Sequence, residues 1–170
     1  YVYIFGYDVP LVMSGEEFNA AYIPLPNAEC SLFGGGGAST WLYASWIQWE
    51  QLKLSAKKEL FDDCRKMIEI RNDNSDILHY DRSKTHILQV KHIPEALPVP
   101  YIRFIPGKKA VLIVGNDRDV DVSFQLDIPL SEMKLEGKVT YKIYDLWNDE
   151  SSIASERDLC HFQMEVPADH

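Results

Sequence analysis

At 170 residues, 46% of them hydrophobic, the chain is globular material with room for one full domain or parts of two. Its 17 basic and 26 acidic residues leave a net charge of −9. That balance repels nucleic acid and anionic membrane surfaces, excludes both as partners, and favours neutral or cationic ligands. Three cysteines, Cys30, Cys64 and Cys160, stand far apart with no CxxC pair and no companion histidine pair. Neither a disulfide framework nor a zinc site is indicated, and the compartment stays open.

The chain begins in an apolar run, Tyr1 to Phe5, without an initiator Met, a basic leader region or a small-residue cleavage site. It reads as neither a signal peptide nor a membrane span, and the chain looks cut from something larger. Val9 to Ser14 then reads as a strand covered on both faces, running into the acidic turn Gly15-Glu16-Glu17. Residues 19 to 54 hold Pro24, Pro26, the glycine run 34 to 37 and three tryptophans, which predicts a long irregular excursion with one short helix around Thr40 to Trp46.

From Ser55 to about Asn72 the pattern is helical. Ser55 suits an N-cap, and Leu60, Phe61, Cys64, Met67 and Ile68 recur on one face with charges between them. Beyond Ile77 the period changes to two. Ile87 to His92, Tyr101 to Ile105, Ala110 to Gly115, Val120 to Leu126, Val139 to Tyr144 and His161 to Val166 read as short strands between turn residues. Ala110 to Val114 is apolar throughout, as a central strand covered on both sides would be. Strands without an intervening helix predict an antiparallel sandwich from near residue 79, with Ile113, Val122, Phe124, Phe162 and Met164 inside. The fold class expected is mainly β, with residues 1–76 separate from a β-domain over 77–170.

Glu16 and Glu17 are adjacent, so on an extended segment they point opposite ways and cannot flank one glycosidic bond as a retaining pair about 5 Å apart must. A supporting role at a sheet rim, or contact with a ligand, suits them better. Trp41, Trp46 and Trp49 offer aromatic faces for sugar rings or a private core for their loop. The glycine run lacks the Gly-Lys-Ser/Thr of a phosphate cradle, no Gly-x-Ser-x-Gly elbow occurs, and the five histidines are scattered. Asp117, Asp119 and Asp121 lack the Gly and terminal Glu of a calcium loop and read as a solvated face. No metal or cofactor is expected.

Four motifs in order resemble the end of the α-amylase superfamily of glycoside hydrolases. Pro10-Leu11-Val12-Met13-Ser14-Gly15-Glu16-Glu17 is similar to that family's Pro-Leu-x-x-x-Gly-(Asp/Glu)-Glu segment on the eighth barrel strand, although Tyr7-Asp8 stand where Pro-Gly is usual. Trp49-Glu50 resembles the Trp-Asp of the following loop, and Met67-Ile68-Glu69-Ile70-Arg71 the "Leu-Ile-x-Leu-Arg" of the last barrel helix. The run from Tyr144 to Glu150 is similar to the Asp-Leu-x-Thr-Gly turn of the C-terminal β-domain.

The resemblance covers nearly the whole chain. It implies the final strand, long loop and helix of a (β/α)8 barrel followed by a β-sandwich, in a parent enzyme acting on α-linked sugars. Its aspartate nucleophile, glutamic acid/base and second aspartate sit on strands four, five and seven, upstream of Tyr1. This chain would then hold no catalytic carboxylate, with Glu16, Glu17, Trp41 and Trp49 as substrate-side candidates. Its partners would be an oligosaccharide or polysaccharide and the preceding part of the barrel. Residues 1–15, lacking barrel neighbours, are expected to self-associate, to be disordered or to pack in a non-native way. The competing expectation is a non-enzymatic sandwich that binds carbohydrate or protein.

Overall fold

A computed structural model describes residues 17, 20, 22–24, 45–47, 49–79, 81, 83–95 and 99–168. The expected strand at Leu11 to Ser14, the glycine run and the behaviour of residues 1–15 lie outside the described residues. Those that are described fall into two compact units, with the boundary between Lys66 and Met67.

In the first unit, β1 (Tyr22–Pro24) pairs antiparallel with β2 (Ser45–Ile47), Ile23 opposite Trp46. The helix expected around Thr40 to Trp46 is therefore a strand over residues 45–47, its residues 40–44 lying outside the description. Cross-strand pairing decides here where single-chain propensity cannot, since β-propensity mostly measures the neighbours a strand finds. A 3₁₀ helix, Trp49–Lys53, leads into α1 (Ser55–Asp73). Because the Leu54 amide already donates to the Gln51 carbonyl, the chain arrives coiled. The Leu54 carbonyl, one residue before the expected Ser55 cap, accepts the first α-helical bond from Lys58. Lys58 pairs with Asp62 one turn on.

The buried line of α1 runs Cys64, Met67, Arg71, with Leu60 and Phe61 half-buried. Ile68, expected on that line, lies at its margin and is 44% exposed. At the helix end the Asn74 side chain and backbone both donate to the Ile70 carbonyl, and α2 (Ser75–Leu78) follows at once.

The second unit is mainly β, and every pairing in it is antiparallel. Its strands are β3 (His86–Gln89), β4 (Lys91–Ile93), β5 (Tyr101–Ile105), β6 (Lys109–Ile113), β7 (Val122–Asp127), β8 (Tyr141–Asp145), β9 (Glu150–Ala154) and β10 (Phe162–Val166). One sheet has the order β3-β5-β6 and another β10-β7-β4, while β8 and β9 form a hairpin. The single strand expected over Ile87 to His92 is divided at Val90. Before it the chain pairs with β5, after it with β7. Val90 itself is buried, its amide donating to the Pro100 carbonyl at 3.0 Å, so one extended segment serves both sheets.

The core gathers Ile102 and Phe104 from β5 with Val122, Phe124, Leu126 and Val166 from the other sheet, plus Val90 and Ala154. Phe162 and Met164 pack against it partly buried, opposite Leu126 and Phe124 in register. Leu130, Met133 and Leu135, on an irregular segment between β7 and β8, plug the same core. Their turn is held by the Met133 carbonyl, which accepts from Gly107, and by the Leu135 carbonyl, which accepts from the Tyr141 hydroxyl at 2.7 Å. Pro106-Gly107 closes β5 to β6 with Gly107 at φ 71°, the proline and left-handed glycine that a type II turn requires.

The expectation for residues 110–114 is overturned. Among the described residues β6 is an edge strand and only Ile113 on it is buried, whereas β5 is central, with Tyr101, Ile102, Arg103 and Phe104 all at or below 5% exposure. The charge of Arg103 makes β5 look half-wet in sequence, yet β5 is covered on both faces. β9 and the four-residue helix α3 (Glu156–Leu159) were not expected either. β9 is four-fifths exposed and carries little apolar signal. Ser155 starts α3 through a capping box with Asp158.

Candidate functional site

Of the four candidate side chains read from the sequence, Glu16 and Trp41 lie outside the described residues. Glu17 is half-buried, and Trp49 opens the 3₁₀ helix with 54% of its surface exposed, next to an exposed Glu50. Both belong to the first compact unit. A five-residue 3₁₀ helix eclipses side chains three apart and packs poorly along its length. None of the residues of this one is buried, so the Trp49 side chain lies at the surface.

Acid–base chemistry has a recognisable electrostatic mark, because a general acid needs a carboxyl pKa raised toward neutrality. Among the described residues, three carboxyls are moved the other way. Hydrogen bonds from Ser83 and Lys84 bring Asp81 down to about 2. The Lys58 ammonium lowers Asp62, and the Ser155 hydroxyl and amide lower Asp158. All three sit in local turns or helix surfaces whose donors favour the ionised form. Burial pushes the Cys64 thiol up, away from a nucleophilic thiolate.

Among the described residues no group of three or more His, Cys, Asp or Glu side chains is arranged to hold a metal ion, and no helix is long and apolar enough to cross a membrane. Asp117, Asp119 and Asp121 are exposed. Asp121 accepts a bond from the Ala168 amide at 2.9 Å, so part of that acidic face holds the end of β10 in place.

Three buried polar side chains that the sequence reading passed over organise the second unit. Arg103, 1% exposed, donates to the Leu78 carbonyl at 3.4 Å and to the His79 carbonyl and Thr85 hydroxyl at 3.2 Å each. It ties the end of α2 to the central strand. Thr85 in turn donates from its amide and hydroxyl to the Asp81 carbonyl, continuing the join. Asn116 donates through Nδ2 to the carbonyls of Val120, Val166 and Pro167 and accepts from the Arg118 amide, linking a loop to the last strand. Gly115-Asn116-Asp117 between two strands is a turn signal that would have found the third of these; nothing local in the sequence marks Arg103 as buried.

The β8–β9 hairpin presents a different surface. Lys142 and Tyr144 stand on one face of β8, the Lys142 ammonium 4.4 Å from the Tyr144 ring centroid and 2.9 Å from its hydroxyl, with Ile153 opposite Lys142 and 75% exposed. At the tip, Asp145 Oδ1 accepts from the amides of Trp147 and Asn148, and Oδ2 from the Asn148 side chain. Asp149 turns the chain back at φ 57°. The run that resembles a family turn is thus the turn of this hairpin. Comparison with family models, with curated proteins and with solved structures finds no match to this chain.

Proposed function

We propose that the chain is the C-terminal section of a glycoside hydrolase acting on α-linked sugars, of the α-amylase superfamily. In this reading it comprises the last strand, loop and helix of a (β/α)8 barrel and an antiparallel β-sandwich. The observation that carries the proposal is the succession from α1 into the β unit. Met67-Ile68-Glu69-Ile70-Arg71 occupies the end of α1 with Arg71 buried, and an antiparallel unit of two sheets around one core follows.

The catalytic aspartates and glutamate then lie on strands preceding Tyr1 in the parent polypeptide. Glu16, Glu17, Trp41 and Trp49 contribute to one wall of the sugar cleft, and the exposed indole of Trp49 supports that assignment. The β unit serves stability, and its Asp81 and Asp158, both held low by local donors, are suited to surface turns instead of proton transfer.

The test is kinetic. In the parent polypeptide, Trp49→Ala should raise KM for an α-linked oligosaccharide about 5- to 30-fold, the loss of one stacking contact of about 1–2 kcal/mol, while kcat on an aryl α-glycoside stays close to the unmodified value. An unchanged KM would remove Trp49 from the cleft. Turnover of α-glycosides by the 170-residue chain alone, lost on Glu16→Gln or Glu17→Gln, would overturn the proposal itself.

One observation favours a second reading, a non-enzymatic β-sandwich that binds carbohydrate or protein. Among the described residues, the buried members of the sandwich core all fall between Val90 and Val166, within the β unit.

A further inference from the structure

We draw no further inference here: the strongest candidate, the outward face of the β8–β9 hairpin where Lys142, Tyr144 and Ile153 stand exposed, is an unpartnered patch, and nothing in the structure shows what covers it.

Discussion

β7 and β5 are each the middle strand of a three-stranded antiparallel sheet, yet they solve burial differently. On β7 Val122, Phe124 and Leu126 point into the core while Ser123, Gln125 and Asp127 face water. On β5 both faces are covered, one by the core and the other by the segment of α2 and Thr85, which lies against it. A strand with one wet face needs only apolar side chains at alternate positions. A strand with none needs partners for the polar groups on its second face from within, and the terminal nitrogens of Arg103 find them in two backbone carbonyls and a hydroxyl. The contrast predicts that β7 fails through its apolar residues and β5 through its one charged residue.

The largest effect is expected on β7. Phe124→Asp places an unpaired carboxylate in the core, costing several kcal/mol against a total stability of about 5–15 kcal/mol. The β unit should lose its cooperative melting transition by circular dichroism. Retention of that transition would mean that β7 is not central.

Next comes Arg103→Met, which keeps an apolar stem and removes the donors. Leaving the buried Leu78 carbonyl without this partner should cost about 1–3 kcal/mol, with a smaller loss at the His79 carbonyl, whose residue is exposed. A urea midpoint within error of the unmodified protein would show that the β5 join contributes nothing.

Asn116→Ala should cost less, about 1–2 kcal/mol, and act locally. Amide exchange should rise for Val166 and Ala168, on either side of Pro167 in the stretch that Asn116 and Asp121 hold, before it rises in β5. Uniform acceleration across both sheets would count against a local role. Ile153→Ser on the outward face of β9 should change stability by no more than about 0.5 kcal/mol. A larger loss would mean that the face is covered in solution, and a concentration-dependent loss that a second copy covers it.

The smallest effect is a pH dependence. Asp81, with a folded pKa of about 2 against an ordinary 3.8, binds fewer protons folded than unfolded between those values. Its contribution is therefore complete above about pH 4 and falls away as the pH drops toward 2. Because Asp81 faces solvent, Asp81→Asn should flatten only a small part of the acid limb of a melting-temperature profile, leaving the values above pH 5 parallel to the unmodified protein's.

The same contrast explains what the sequence made readable. β7 and β10 carry strict alternation, and Val122, Phe124, Phe162 and Met164 point inward as expected because one wet face leaves a period of two, although Val120, at the start of the expected strand, lies outside β7 and is 56% exposed. The helix over residues 55–73 was equally plain from its apolar spacing. β6 was expected at the centre, since a run such as Ala110 to Ile113 looks buried when only its partners decide that it lies at an edge. β9, nearly all exposed, exists through pairing with β8, and pairing has no local signature. Of the candidate site, the exposed tryptophan at 49 was legible as an aromatic in a polar loop. The buried Arg103 and Thr85 were not, because a polar residue in a sequence announces water unless its distant partners are known, and Asn116 had only its turn signal to mark it.

The central claim, that this chain completes a larger α-glycoside-acting enzyme, is tested most directly by expressing the full reading frame upstream of Tyr1 and assaying it on α- and β-linked aryl glycosides and oligosaccharides. The account predicts an additional stretch of roughly 200–400 residues, the size of the missing barrel, and release of sugar from α-linked substrates alone. It predicts that substituting an upstream aspartate or glutamate abolishes that activity, with Glu16→Gln and Glu17→Gln leaving the bond-breaking step intact. A full-length protein that folds without an upstream barrel, or that binds oligosaccharide and never cleaves it, would contradict the claim.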